Sequence, residues 1–314
     1  MADTVLHQDV RTDATAPVDF IRRFVWKIAV ATLLLMAVGS ATRVMNAGLA
    51  CPDWPLCYGQ LVPSQQMNLQ VFLEWFHRLD AALIGLSAIA LVGLSWWYRR
   101  QSPPWLPLAS AFAFFLIIFQ GVLGGLTVTQ LLRFDIVTAH LGCALLFFIT
   151  LIAIGMALLP YEGTGTARKL ALVSLSAAIL VYLQSILGGL VASRWALHQC
   201  FGASQLCLVM NSHIAGVVPP TLATLAVLIM TWRTPAVHPT LRLLANTAGG
   251  LLVCQIALGV ATFRLHLQVE PLTVAHQAVG ATLLGSLVAI AVLAWRDVLS
   301  TPRFSPSQAN IARG

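Results

Sequence analysis

The sequence predicts an all-α integral membrane protein with eight transmembrane helices, arranged as two pseudo-symmetric four-helix bundles. Three observations carry this expectation. The 314 residues are 58% hydrophobic and 9% charged, with a mean hydropathy of +0.83, far too little charge for a water-soluble domain of this length. Eight apolar stretches, each near the length of roughly 20 residues that crosses a bilayer, occupy 24–45, 78–98, 105–130, 136–159, 170–193, 212–232, 243–263 and 273–295. The second half also repeats the pattern of the first.

Residues 1–23 read as a polar N-terminal tail. Asp3, Asp9, Asp13 and Asp19 exclude a cleavable signal peptide there, so the first apolar run serves as an uncleaved anchor. Residues 24–159 form the expected N-terminal bundle, 160–169 a linker, 170–296 the C-terminal bundle and 297–314 a C-terminal tail. The tails and every second loop hold 13 Lys and Arg residues against 5 on the other side. The basic side faces the cytoplasm, which makes both termini and the linker cytoplasmic, in agreement with an even number of crossings. A net charge of +7 spread between apolar runs forms no basic face, which argues against nucleic acid as a partner. Membrane lipid is the expected surroundings.

The internal repeat is specific. His77 and His140 are 63 residues apart, as are His213 and His276, and the halves are offset by 136 at both histidines. Gln120-Gly-Val-Leu-Gly in the third span matches Gln255-Ile-Ala-Leu-Gly in the seventh at an offset of 135. Arg43, Cys51 and Cys57 correspond to Arg194, Cys200 and Cys207 at an offset near 150, so the first outer loop is the longer. Repeated four-helix units are a natural membrane architecture.

Each of the four histidines opens an even-numbered span at its outer end. Polar side chains at such depth point to function, and four in a repeated frame favour metal ligation over a hydrogen bond between neighbouring helices. Two imidazoles per bundle, with no carboxylate or thiolate pattern beside them, suit porphyrin iron better than zinc or copper. The expected sites are His77 with His140 and His213 with His276. Ala81, Ala144 and Gly280, one turn further in, would leave room for a macrocycle, and Val217 fits less well. His7, His198, His238 and His266 read as ordinary surface residues.

Glu74 breaks the symmetry. It precedes His77 by three residues, on the same helical face if the helix has begun, and its counterpart is Met210, while Arg78 corresponds to Ile214. A carboxylate there can accept a proton or orient water beside a porphyrin. It can equally stabilise a helix start or pair with Arg78. Asp80 reads as structural. Cys51–Cys57 and Cys200–Cys207 fall in outer loops, where an oxidising compartment favours two intraloop disulfides. A redox-active or metal-binding pair is the alternative. Cys143 and Cys254 read as packing residues within helices.

Glu74-Trp-Phe-His77-Arg78, the Cys51–Cys57 segment after Arg43, and four histidines in eight spans together resemble the haem A synthase family, in its bacterial type with cysteine pairs in outer loops. The resemblance covers about 24–296. It implies oxidation of the C8 methyl of haem O, through successive hydroxylations, to the formyl group of haem A for cytochrome oxidase. By the same resemblance His77 and His140 bracket the substrate haem O, Glu74 is catalytic, and His213 and His276 hold a haem b that relays electrons. It further implies a multi-pass protein of the bacterial cell membrane, with haem O synthase and oxidase assembly factors as partners. A homo-oligomer is compatible with the sequence. Arg43, Arg78, Arg133, Arg194 and Arg264 lie on the haem side and can pair with propionates, or can be plain loop charge.

Three other functions fit less well. A b-type cytochrome moving electrons between quinol and a partner would use the histidines but leave Glu74 unexplained. A prenyltransferase needs clustered aspartates for Mg²⁺ and pyrophosphate, and the eight aspartates form no such cluster. A haem transporter would bind reversibly and yield no oxidised product.

Overall fold

A computed structural model describes residues 2–192, 205–265 and 268–299, with side chains from residue 16 in the first stretch and from 208 in the second. Regular structure among the described residues is helical: α1 (Ala2–Val44), α2 (Leu69–Trp97), α3 (Leu106–Thr129), α4 (Phe134–Ala157), α5 (Arg168–Ala192), α6 (Gln205–Ala215), α7 (Val218–Arg233), α8 (Pro239–Arg264) and α9 (Glu270–Leu299). They supply eight spans long and apolar enough to cross a membrane. The fold is that of an all-α integral membrane protein.

The sixth span, Leu208–Arg233, contains both α6 and α7. It breaks at Gly216–Val217 because Pro219 and Pro220 have no N–H to continue the ladder of α6. Proline is tolerated in a first turn, so a new helix starts there.

Several boundaries differ from the hydropathy reading. Helix α2 begins at Leu69 rather than 78, since the Asn68 side chain caps it by accepting the Val71 N–H at 3.0 Å. Gln70, Glu74, His77 and Arg78 dilute the apolar signal over those first turns. Helix α1 is continuous through the expected tail, and its packed face starts at Ile21 and Val25. Helix α9 continues to Leu299, so residue 297 lies within it.

Neighbouring helices close two rings. In the first half α1 touches α2, α2 touches α3, α3 touches α4, and α4 touches α1. In the second, α5 touches α6 and α7, α7 touches α8, α8 touches α9, and α9 touches α5. Between the halves α1 and α4 pack on α9, and α4 packs on α5. The deepest core lies on this seam, with Phe147, Leu284, Leu287, Ile290 and Leu293 fully buried. Small residues let the seam close. A Cβ on Gly285 would stand 3.0 Å from Phe148, and Gly142 leaves room for Tyr182, whose hydroxyl donates to the Gly142 carbonyl at 3.3 Å.

Facing outward are side chains such as Leu108 (77% exposed) and Val253 (70%), an apolar surface suited to lipid and not to water. Buried hydroxyls bond within their own helix, as Thr32 to the Ile28 carbonyl, Ser174 to Leu170 and Thr231 to Val227. No polar atom then faces hydrocarbon unpaired at these positions.

On the side of the linker, Asp297 is fully buried and joins the halves. It accepts from the N–H groups of Thr164 (2.6 Å) and Ala167 (3.0 Å) and from the Tyr161 hydroxyl (3.2 Å). Burial and the Asp297 carboxylate both push the Tyr161 phenol upward in pKa. Arg296 donates to the Met156 and Leu159 carbonyls at 2.7 and 2.8 Å. His238, expected to be an ordinary surface residue, caps α8 through its Nδ1 and packs on Tyr161 at 4.6 Å.

Candidate functional site

The four histidines lie in the helical segments expected of them, on the side of the molecule opposite the linker. His77 is eight residues into α2, and His140 and His276 are each six residues into α4 and α9. His213 is near the end of α6, just before the break. His140 lies within electrostatic range of His77, and His276 within range of His213.

Each imidazole packs against a glycine of the helix before it. A Cβ on Gly39 of α1 would stand 2.7 Å from His77 Cε1, and one on Gly188 of α5 3.0 Å from His213 Cε1. The corresponding approaches are 3.3 Å for Gly124 of α3 to His140 and 3.0 Å for Gly259 of α8 to His276. One turn before each glycine, a main-chain carbonyl faces the ring: Leu35, Gln120, Gln184 and Gln255 for His77, His140, His213 and His276. Gly124 and Gly259 close the repeated segments seen in the sequence, but their role as seats, and Gly39 and Gly188 altogether, were missed because each faces a histidine on another helix.

At Gly280 a glutamine takes space expected to receive a macrocycle. The Gln255 amide nitrogen lies 3.0 Å from where a Gly280 Cβ would be, and 3.4 Å from His276 Nε2. Gln184 fills the place of a Cβ on Gly216, not one at the expected Val217 position. The small residues after these two histidines therefore accommodate glutamine amides.

Around His77 the first loop folds back onto the site. Helix α2 has begun by Glu74, so Glu74 and His77 share a face. Glu74 is buried. Its Oε1 pairs with Arg78 at 2.5 Å, and its Oε2 accepts the Cys51 N–H at 2.8 Å. Arg78 also donates to the carbonyls of Asp53 and Leu56, both at 2.6 Å. Cys51 and Cys57 form the expected disulfide and are buried. Asp53 accepts the N–H groups of Gly59 and Tyr58, which hold its carboxyl below the usual range. Trp54 packs on Gly125 of α3, next to the glycine that seats His140, and a Cβ there would stand 3.2 Å from the indole.

The arginines part ways. Arg78 is committed to Glu74 and the loop, and Arg133 to Asp135 at 2.6 Å on an exposed surface. Asp135 raises the Arg133 pKa through that hydrogen bond. Arg43 is half-buried at the end of α1, its guanidinium without a hydrogen bond or ion pair among the described residues, and Arg264 is exposed. Arg194, Cys200, His198 and His266 lie outside the described residues, as does the side chain of Cys207. Cys143 is buried in packing as expected, whereas Cys254 is exposed. Asp80 is half-buried without a hydrogen bond or ion pair among the described residues, so nothing gives it the structural role expected.

The donor set fits iron in a porphyrin. Among the described residues no three His, Cys, Asp or Glu side chains gather as a metal cage, and the histidines come in pairs. The rings of His77, His140 and His276 are seated deep in the bundles, each Nδ1 short of a well-formed hydrogen bond although a main-chain carbonyl faces the ring.

A Shewanella oneidensis protein named heme A synthase is 28% identical across 87% of this chain and 96% of its own length. A Rhodospirillum centenum protein of that name is 26% identical across 91% and 90%, and one from Symbiobacterium thermophilum 34% identical across 43% and 44%. The family model for COX15-CtaA, cytochrome oxidase assembly protein, matches residues 22–288. Paired histidines in eight spans and this match agree: the chain belongs to the COX15-CtaA family.

Proposed function

We propose that the protein is an oxidoreductase that converts haem O to haem A, oxidising the C8 methyl by successive hydroxylations to the formyl group that cytochrome oxidase assembly requires. One observation carries this beyond simple electron transfer. Both halves have paired histidines, but three residues before the first histidine of each pair the first half has an acid, Glu74, and the second has Met210. A membrane bundle is also a physically sensible place to modify a haem whose farnesyl tail partitions into lipid. Relatives across nearly the full chain bear the name heme A synthase.

His77 and His140 would hold the substrate haem O, and His213 and His276 a haem b. When bound, haem b supplies one-electron redox capacity. The remaining work belongs to side chains. Arg43 offers a free guanidinium to a propionate, Glu74 presents a carboxylate for proton transfer, and the loop carrying Trp54 and the disulfide excludes water from above. Cytoplasmic termini in a bacterial cell membrane follow from the arginine asymmetry, with the disulfide on the oxidising side. A haem O supplier and oxidase assembly factors are the partners this function needs.

The test is expression with a source of haem O, followed by chromatography of extracted pigments. Accumulation of haem A is expected. Unchanged haem O with bound haem b would mark an electron-transferring cytochrome instead.

A further inference from the structure

Helices α1 and α2 run antiparallel, and two contacts set their register at the outer end. Gly39 lies under the His77 ring. The Thr42 hydroxyl, shared with the Val38 carbonyl at 3.0 Å, reaches the Leu73 carbonyl at 3.3 Å. Their chain neighbours Arg43 and Glu74 therefore stand at one level, each about one turn outward of His77. Arg43 follows Gly39 by four residues and so keeps to the face of α1 that meets His77. Its turn is fixed. The Ala47 N–H donates to the Thr42 carbonyl at 2.8 Å and the Asn46 N–H to the Arg43 carbonyl at 3.2 Å, while Asn46 takes the left-handed conformation (φ 61°) that ends helices.

This cation is particular to the first histidine. At the other seats the residue four beyond the glycine is Val128, Ala192 or Phe263. The neighbouring guanidinium, Arg78, is spent on Glu74 and two loop carbonyls. That of Arg43 is half-buried and makes no hydrogen bond or ion pair among the described residues. A guanidinium drawn away from water calls for an anion, and both Glu74 oxygens are already engaged. The acid that suits Arg43 belongs to the ligand.

Haem carries propionates on two adjacent pyrroles, rings C and D, and each has a methyl beside it on the same pyrrole. The C8 methyl belongs to ring D. Choosing it over its near mirror image on ring C requires telling one propionate from the other, which a single cation on one side of a pocket does. We infer that Arg43 grips the ring D propionate of haem O and thereby sets which methyl is oxidised. This rests on the haem O reading above and deepens it. Ring D is drawn to the α1–α2 side of the first site, and the C8 methyl comes to the side of Glu74 with it. Arg43 is a specificity-determining residue, and a planar fork on a carboxylate is the pairing that fixes orientation best.

The test titrates full-length protein in detergent with ferric haem O, followed by Soret absorbance. The part of the change that His77→Ala abolishes reports the first site. Wild type should bind haem O about tenfold more tightly than its dimethyl ester. Of the two monomethyl esters, the one blocked on ring D should bind like the diester, and the one blocked on ring C like the free acid. Arg43→Gln should weaken haem O about tenfold, leave the diester unchanged and level the two monoesters, whereas Arg43→Lys should keep part of the preference. A merely structural arginine would weaken acid and diester alike, and that result overturns the proposal. So does a wild type that ranks the monoesters equally or in the opposite order, a comparison that decides by itself should Arg43→Gln not fold. If no part of the titration depends on His77, the haem reading itself fails; if that part is present without the ester contrast, only the role of Arg43 fails.

Discussion

Glu74 Oε2 accepts the main-chain N–H of Cys51 at 2.8 Å, so the carboxylate three residues before His77 also fastens the disulfide loop to α2. The salt bridge to Arg78 forms, and Glu74 also lies on the face of α2 that carries His77. Its second oxygen is held by Arg78, whose other nitrogen grips the loop at two carbonyls. Glu74, Arg78 and the disulfide loop are thus held together as one unit.

Substitution separates the two duties. Glu74→Gln keeps an oxygen for the Cys51 N–H and should leave the loop closed and haem bound, yet abolish haem A formation. Glu74→Ala should do the same to product and in addition lower stability by about 1–3 kcal/mol, since it orphans buried donors. Pigment chromatography and thermal melts measure both. Wild-type product from Glu74→Gln would reduce the residue to a loop fastener.

Thiol chemistry tests the loop. Cys51 and Cys57 are bonded and buried, so a membrane-impermeant maleimide should miss them until reductant is added. Cys200 and Cys207 should behave alike if they pair as the sequence suggests. Labelling of all four without reductant would refute the disulfides.

The glycine seats should be intolerant. Gly39→Ala, Gly188→Ala and Gly259→Ala each place a methyl within 3.0 Å of an imidazole carbon, and overpacking of this kind costs about 1–3 kcal/mol. Haem content after purification should fall for each, whereas Gly85→Ala, where a Cβ meets nothing, should match wild type.

The second pair of histidines is expected to hold the resident haem. His213→Ala and His276→Ala should both lose the low-spin b-type absorption spectrum. An unchanged spectrum in either would reassign that ligand.

Much of the fold was legible because apolar length is a strong signal: all eight spans fall where hydropathy puts them. Starts were not, because Gln70, Glu74, His77 and Arg78 are polar and hide the first turns of α2, while the Asn68 cap marks the true start. The break between α6 and α7 was written in Pro219-Pro220, but a window average blurs it. At the site, the histidines and Glu74 stood out as polar groups in lipid. Glycines 39 and 188 did not, and Gly124 and Gly259 showed only as part of the repeat, because glycine is common in membrane helices and their partner histidines sit on other helices. Asp297 was unreadable as a core residue, since its partners lie more than 100 positions away.

Asp297 has a bearing on biosynthesis. The N–H groups of Thr164 and Ala167 find their acceptor 133 and 130 residues later in the chain. While the ribosome is still making the second half, the linker has no carboxylate to grip. The first four helices can insert and collapse early, but the seam between halves locks only when the last helix arrives. A nascent chain halted before that point exposes an unlatched joint to quality-control proteases.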